Sequence, residues 1–590
     1  MRTRLLHWGL LVAAWAASAS DLPRPDDPDP LTPADRAAML VLVRRAAATR
    51  EPIAFAPEQM PAKLLRATGR PLVLSAHRAG QPPAVAMAPE GTLFEQLTRV
   101  VASLRAAGAL RALPAVRFKI DVVTRLAPVG LGAGGQPVAG IHGVRVRAPR
   151  VEIVLPPSEG LRPGLGSGDA LVREALRRAQ AAGARAGETT VERFAATSFM
   201  EGSPGGRGTP VDLYRGMPLV GRVSARSARA ACEAAADWLL RFQQPDGRFH
   251  YLYNGMTDTA SDEGYCAVRH AGTAWSLAQA FGSTGHRRFR QGAYRALEWL
   301  LARTGSRDDM AWVAYDGHCT LGASALAVVG LLEYRAAVDT RRFDPLIRRL
   351  GRFIVFMQSD DGFFASHYDP RTHRGAIPDG HVPLYAPGEA FLALVRLQAA
   401  LPDPAWERAV AKAADFAATR RDAWYQAHDL PMIHPDAWTM MAIDEFHALG
   451  AARRAHTDYA FFLAEQIVRE QETPATARWR DHVGAPRTTA EPPHAGVAAA
   501  RCEGLLAAWR LARRMGVSAE PYRRAALLSA RFQLAHQFTA TNDYLLPAPE
   551  RARGAFFASY ADPSARVDTV QHNLSALLGI ATLLAAERED

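Results

Sequence analysis

Two acidic residues stand at the start of apolar helical patterns in well-separated parts of the chain: Glu389 in "LYAPGEAFLAL" and Asp436 in "HPDAWTMM". Two carboxyl groups from different loops, one protonated and one ionised, are what cleavage of a glycosidic bond normally requires. Glu389 and Asp436 are therefore the candidate catalytic pair, and each also has a plainer role open to it. Glu389 fits the first turn of a helix, where a negative charge meets the helix dipole, and Asp436 fits an N-cap. A second constellation lies in "DEGYCAVRHAG" (262–272), where Tyr265, Arg269 and His270 precede another apolar helix. Arginine grips a carboxylate in two-pronged fashion, and Tyr or His moves a proton, which together suit β-elimination or epimerisation of a uronic acid. The alternative is that Arg269 and His270 pair with buried acids and tie neighbouring segments together.

Other side chains extend the set. Glu503 stands beside Arg501 in "ARCEGLLAAW", open to a structural ion pair or to substrate binding. Asp568, Gln571 and His572 in "DTVQHN" offer a polar wall to sugar hydroxyls or cap the last helix. Tyr385 and Trp438, with Tyr251, Tyr253, Trp312, Tyr315, Trp424 and Tyr425, place aromatic faces near loops, for sugar rings or for core packing. Cys266, His318, Cys319 and Cys502 raise a zinc reading. Small thiols filling tight helix contacts explain them more simply, and no metal or cofactor is expected. The chain has no phosphate-cradling Gly loop, Gly-x-Ser-x-Gly elbow or His-Glu-x-x-His, which argues against nucleotide, serine-hydrolase and zinc-protease chemistry.

The elements that must position these groups are mostly helices. From about residue 225 helical periodicity dominates, and helices end near "WLLRFQQPDG", "WLLARTGS", "FIVFMQSDDG", "ADFAATRRDAW", "LAEQIVREQE" and "SARFQLAHQF". After each, a loop leads into a second, more apolar helix, opening near residues 269, 321, 388, 436, 501 and 571. Six such units predict an (α/α)6 toroid, with six inner helices ringed by six outer ones. The loops entering the inner helices converge on one face, where helix N-termini offer free N–H groups. Residues 34–200 differ: "RPLVLSAHRA", "RFKIDVVTRL" and "GVRVRAPRVEIVLP" read as strands, with helical patterns at 91–110 and 168–183, which predicts a small α+β domain. Residues 201–224 read as a linker.

The N-terminal "MRTRLLHWGLLVAAWAASAS" has the charged start, short apolar run and small residues of a secretory signal peptide, followed by a Pro/Asp-rich spacer at 21–33. Export to a bacterial periplasm or beyond is expected. The apolar "LGASALAVVGLLEY" is too short to span a bilayer and reads as a buried helix, so no membrane span is expected after signal removal. The net charge of +11 comes from scattered arginines with no dense basic run, and a nucleic-acid partner is not expected.

The ordered set "YCAVRHAG" (265–272), "LGA" (321–323), "YAPGEA" (385–390), "RCEG" (501–504) and "VQHN" (570–573) resembles a bacterial group within the six-hairpin glycosidase-like superfamily. The resemblance covers about 225–590. It implies the toroid and a carbohydrate substrate, since that superfamily holds glycoside hydrolases, polysaccharide lyases and sugar epimerases. More loosely, residues 34–200 resemble the AMMECR-type domain, although "GQPPAVAMAPEGTL" stands where its Arg-Gly-Cys-Ile-Gly signature belongs. This part is read as a scaffold or binding module. The combined expectation is an exported protein that hydrolyses a polysaccharide through Glu389 and Asp436. A uronic-acid lyase or epimerase, or a non-catalytic polysaccharide-holding module, stands as the alternative.

Overall fold

The computed structural model describes residues 30–49, 60–130, 135–206, 210–430, 434–487 and 492–586. The signal-peptide stretch and most of the spacer lie outside the described residues. The chain forms two compact units, one of residues 1–219 with 539–550, the other of 220–538 with 551–590.

In the first unit, an antiparallel sheet is built from β1 (Leu72–His77), β2 (Ala84–Ala88), β3 (Arg117–Pro128), β4 (His142–Ala148), β5 (Val151–Leu155) and β6 (Thr190–Met200), in the order β2-β1-β3-β6-β4-β5. Helices α1 (Pro33–Ala48) and α2 (Leu93–Ala106) bury Met39, Val43, Leu97 and Val100 against Leu72, Leu74, Phe118 and Ile120 of the sheet. Both begin with a capping box, Thr32 with Asp35 and Thr92 with Glu95, which satisfies N–H groups that the first turn leaves open. Helix α3 (Gly168–Ala181) covers β4 and β5. The stretch expected as a linker instead carries β7 (Val211–Tyr214) and β8 (Met217–Pro218), a hairpin paired with β6. Its strands are too short for alternation to reveal them. The sequence also gave no sign that residues 539–550, which lie between two helices of the second unit, belong to the first.

The second unit alternates outer and inner helices: α4 (Ala225–Arg241), α5 (Ala267–Thr284), α6 (Arg287–Leu301), α7 (Leu321–Val338), α8 (Asp344–Phe356), α9 (Ala386–Ala400), α10 (Pro404–Thr419), α11 (Ala437–Ala448), α12 (Arg454–Arg469), α13 (Ala495–Met515), α14 (Glu520–Ala535) and α15 (Val567–Ala586). The odd-numbered inner helices pack in sequence, α5 on α7, then α9, α11, α13 and α15, and α15 returns to α5. That closure makes the toroid. Outer helices are amphipathic, as in α8, where Ile347, Leu350, Phe353 and Ile354 face inward. Inner helices lie between two layers and are apolar nearly all round: every residue of α7 from Leu321 to Leu332 is buried. Its length and composition would suit a membrane, as would those of α15, yet both are largely buried inside the ring.

A recurrent joint locks the outer layer. Gln243, Gln358, Gln471 and Gln537 each follow an outer helix and donate through Nε2 to two carbonyls. One belongs to a nearby glycine (Gly247, Gly362, Gly484, Gly554), the other to the neighbouring outer helix (Gly292, Ala409, Ala525, Ala231), at 2.8–3.3 Å. The four turn glycines adopt φ of +94° to +97°, and a Cβ on any of them would run into a backbone carbonyl of that neighbour. The last joint, from Gln537 to Ala231, links the end of the ring to its beginning.

Strands also persist beyond residue 225, contrary to expectation. The inter-helix loops form a three-stranded sheet of β9 (Leu252–Asn254), β10 (Thr259–Ser261) and β16 (Ser564–Arg566). A second sheet holds β11 (Thr304–Arg307), β12 (Met310–Tyr315), β13 (His318–Thr320), β14 (His367–Asp369) and β15 (Arg374–Ala376). Most have only three residues, below the length at which a period of two can be read.

Candidate functional site

The six inner helices start at one face of the ring, and their first turns carry most of the candidate residues. Helices α5, α7 and α9 begin without a side-chain cap, which leaves backbone N–H groups on that face. Helix α11 is capped by Asp436, whose Oδ1 accepts from Trp438 N at 3.0 Å and whose Oδ2 accepts from Thr439 N at 3.3 Å and Thr439 Oγ1 at 2.6 Å. Helix α13 is capped by His494, a residue the sequence reading passed over, through its Nδ1 and Gly496 N at 2.9 Å.

Glu389 lies in the first turn of α9 and is 5 % exposed. Burial, and after it the negative charge of Asp436, pushes its pKa up to about 8, against partial opposition from His572 and Arg269. At neutral pH it is a carboxylic acid beside the hydrogen-bonded carboxyl group of Asp436. A buried carboxyl that keeps its proton at neutral pH is one of the parts that acid–base work needs.

A turn deeper, His572 donates from Nδ1 to Glu503 Oε2 at 2.7 Å. Burial works to discharge this imidazole. Glu503, then Asp568, outweigh it and raise its pKa above the ordinary histidine value. Asp568 is held by Arg566 (2.6 and 2.9 Å) and by Arg269 Nε (3.0 Å). Burial opposes its charge, but those two guanidiniums win and hold its carboxyl below the usual range. Arg269 also bonds the Tyr251 hydroxyl. Arg501 pairs with Glu470 at 2.9 Å through one Nη, while its other Nη is buried without a hydrogen-bond partner. Tyr385, 49 % exposed, is the one large aromatic among the candidates open to solvent, and its ring meets His434 edge-on at 5.1 Å.

Glycines explain how the side chains fit. A Cβ on Gly322 of α7 would strike the Glu389 carboxyl on α9, and one on Gly388 would strike the Asp436 carboxyl at the head of α11. A Cβ on Gly272 of α5 would stand 2.9 Å from Oε1 of Gln571 on α15, and one on Gly504 of α13 would stand 2.9 Å from the sulfur of Met440 on α11. In each motif the glycine makes room for a side chain of the adjacent inner helix.

Three expectations are corrected. Tyr265 and His270 face α6 and not the ring's mouth: the Tyr265 hydroxyl bonds His270 Nδ1 at 2.6 Å, and His270 Nε2 donates to Ala296 O at 2.8 Å. The imidazole stacks on Trp299 at 4.3 Å, and burial lowers its pKa to about 4, so it is neutral and fully bonded. Gln571 is buried against Gly272, inside the contact between the two helices. Most of the aromatics near loops are core: Tyr251, Tyr253, Trp312, Tyr425 and Trp438 are all at most 5 % exposed, and Trp438 packs between Trp275 and His572. Cys502 lies two turns inside α13, bonded to Ala526 O, and no group of three or more metal-ligating side chains comes together among the described residues.

The sequence reading missed His434, Arg421, Glu470 and Arg566. His434 stands two residues before Asp436, and Arg421 holds its carbonyl at 2.9 Å. Proximity to Asp436 was the available signal for His434, and the sequence carried none for Arg421.

Neither a family model nor a curated protein matches the sequence. Among solved structures, the chain is similar to a D-mannose isomerase at 14% identity and TM-score 0.45, over 60% of this chain and 97% of that one. It is similar to cellobiose 2-epimerase from Bacillus thermoamylovorans at 11% identity and TM-score 0.47, over 61% and 99%. It is also similar to an alpha-1,6-mannanase from Salegentibacter sp. at 12% identity and TM-score 0.42, over 60% and 99%. Likeness at this level says nothing of the reaction, and the ring closure described above rests on the chain's own helix contacts.

Proposed function

We propose that the chain is an exported carbohydrate-processing enzyme whose chemistry takes place where the six inner helices begin. The observation that carries this reading is Glu389, a buried carboxyl whose pKa is pushed up to about 8, set beside Asp436, whose carboxyl oxygens accept three hydrogen bonds. A neutral acid at the leaving oxygen and a paired carboxylate are the parts of glycoside hydrolysis, with Glu389 as proton donor. Arg269, Arg501 and Tyr385 line the same face and supply hydroxyl and carboxylate recognition.

A second reading has its own support. His572, whose pKa Glu503 raises against the opposing effect of burial, gives this face a second group able to carry a proton. Such a group suits removal and return of a sugar proton, as in epimerisation.

The test incubates the full chain and Glu389→Gln with neutral and uronic-acid oligosaccharides, reading new reducing ends, unsaturated-uronate absorbance and uptake of solvent deuterium. Reducing ends alone, lost in Glu389→Gln, support hydrolysis. Unsaturated product supports a lyase, and deuterium in an uncleaved sugar supports an epimerase. Binding with none of the three signals would mean a non-catalytic holding module and overturn the enzyme reading.

A further inference from the structure

Strand β3 alternates in an unusual sense. In "RFKIDV", Arg117, Lys119 and Asp121 alternate with Phe118, Ile120 and Val122, a pattern that ordinarily turns the polar face to water. Here that face is enclosed: Arg117 is 3 % exposed, and Lys119 and Asp121 are 0 %. The register sets His77 opposite Arg117, Ser75 opposite Lys119 and Ser198 opposite Asp121, so six polar side chains share one side of β1, β3 and β6. Enclosing such a surface is costly unless each group finds a partner. Lys119 does, with both oxygens of Asp121 at 2.5 and 2.6 Å, and Ser198 bonds the same carboxylate at 2.5 Å.

What encloses the rest is the 539–550 segment of the same unit. The Asp543 carboxylate lies on Arg117 Nη1 at 3.2 Å. The Tyr544 ring meets His77 edge-on at 4.8 Å, and its hydroxyl donates to Gly216 O at 2.6 Å. A Cβ on Gly216 would stand 3.0 Å from that hydroxyl, so the backbone there is shaped to the phenol. The fit is incomplete: Ser75 Oγ and His77 Nε2 remain buried without a hydrogen-bond partner. His77 is also held neutral, by burial first and then by the charges of Lys119, Arg162 and Arg117. The face therefore holds more recognition capacity than its present cover uses.

We propose that this face of β1 and β3 is a binding site for an acidic, aromatic peptide segment, an aspartate followed by a tyrosine, and that residues 539–550 are its resident ligand. Arg117 reads the carboxylate, His77 and Gly216 read the ring and its hydroxyl, and Ser75 stays available for a further polar group. A partner segment with the same chemistry competes for the site by displacing the resident one.

The probe is a fluorescein-labelled peptide with the sequence of residues 539–550, added to the full-length protein and to its Asp543→Asn, Tyr544→Ala variant. The variant is expected to bind the peptide at least about tenfold more tightly than wild type, whose own segment competes. The same peptide with asparagine in place of its aspartate is expected to lose about tenfold. Equal binding by wild type and variant, or binding by neither, overturns the proposal. A second measurement does not depend on the variant's folding: in wild type, excess peptide is expected to speed hydrogen exchange in residues 539–550, and unchanged exchange there counts equally against the site.

Discussion

Gly322 leaves room for the carboxyl of Glu389: a Cβ at that position on α7 would strike Oε2 of the glutamate on α9. The obstructed atom is the tip of a flexible side chain, so Gly322→Ala is expected to displace the acid at small cost to the fold. Turnover should drop by at least about tenfold with the melting temperature close to wild type. Kinetics and thermal unfolding on the same preparation check this, and a large loss of stability would count against the stated reason.

Glu389 makes stability and rate depend on pH in a defined sense. Folded, it keeps its proton to about pH 8, whereas the unfolded chain releases it near the ordinary glutamate value of 4.5. Between those limits the folded state binds more protons, so the glutamate's contribution to stability is lost as pH rises through the window. Glu389→Gln removes the dependence and is expected to be more stable than wild type at pH 8 by about 4 kcal/mol, the gap closing toward pH 5. Wild-type turnover is expected to fall as pH rises through about 8.

His270 is expected to act on stability and not on the reaction. It bonds Tyr265 and Ala296 and stacks on Trp299, tying the start of α5 to α6. His270→Ala should cost about 3 kcal/mol in denaturant unfolding. Its pH–rate profile should overlay the wild-type profile, and a shifted midpoint would return His270 to the chemistry.

The glutamine–glycine joints give a prediction about the outer layer. Gly247 has φ +94° and no space for a Cβ against the carbonyl of Arg295. Gly247→Ala is expected to destabilise the ring by about 3 kcal/mol or more, and Gln243→Ala by about 1–3 kcal/mol for the two carbonyls it abandons. Chemical unfolding of both variants measures the two costs.

The alternation of outer and inner helices was legible because the helical period and the drop in polarity recur in every unit. The opening of α13 at Ala495, six residues before the motif that flagged it, was not, since alanine carries little periodic signal. Glu389 and Asp436 were legible as acids at helix starts. The direction in which His270 points was not, because it and its neighbour Arg269 lie about 100° apart around the helix and only packing decides which faces the ring's mouth. Gly272, Gly322, Gly388 and Gly504 stood out as motif members, but each answers to a side chain on another helix, a relation no local reading contains. The same holds for Asp543 and Tyr544, which look like loop residues until their sheet is in view.

The hydrolase reading of the ring's mouth turns on Glu389 carrying a proton at neutral pH. Difference infrared spectroscopy of the full chain against Glu389→Gln, across pH 5 to 10, reads that proton in the carboxylic C=O stretch. A protonated-carboxyl band present at pH 7 and lost around pH 8 is the predicted result. A carboxylate already formed at pH 6 would contradict it, and with it the assignment of Glu389 as the acid.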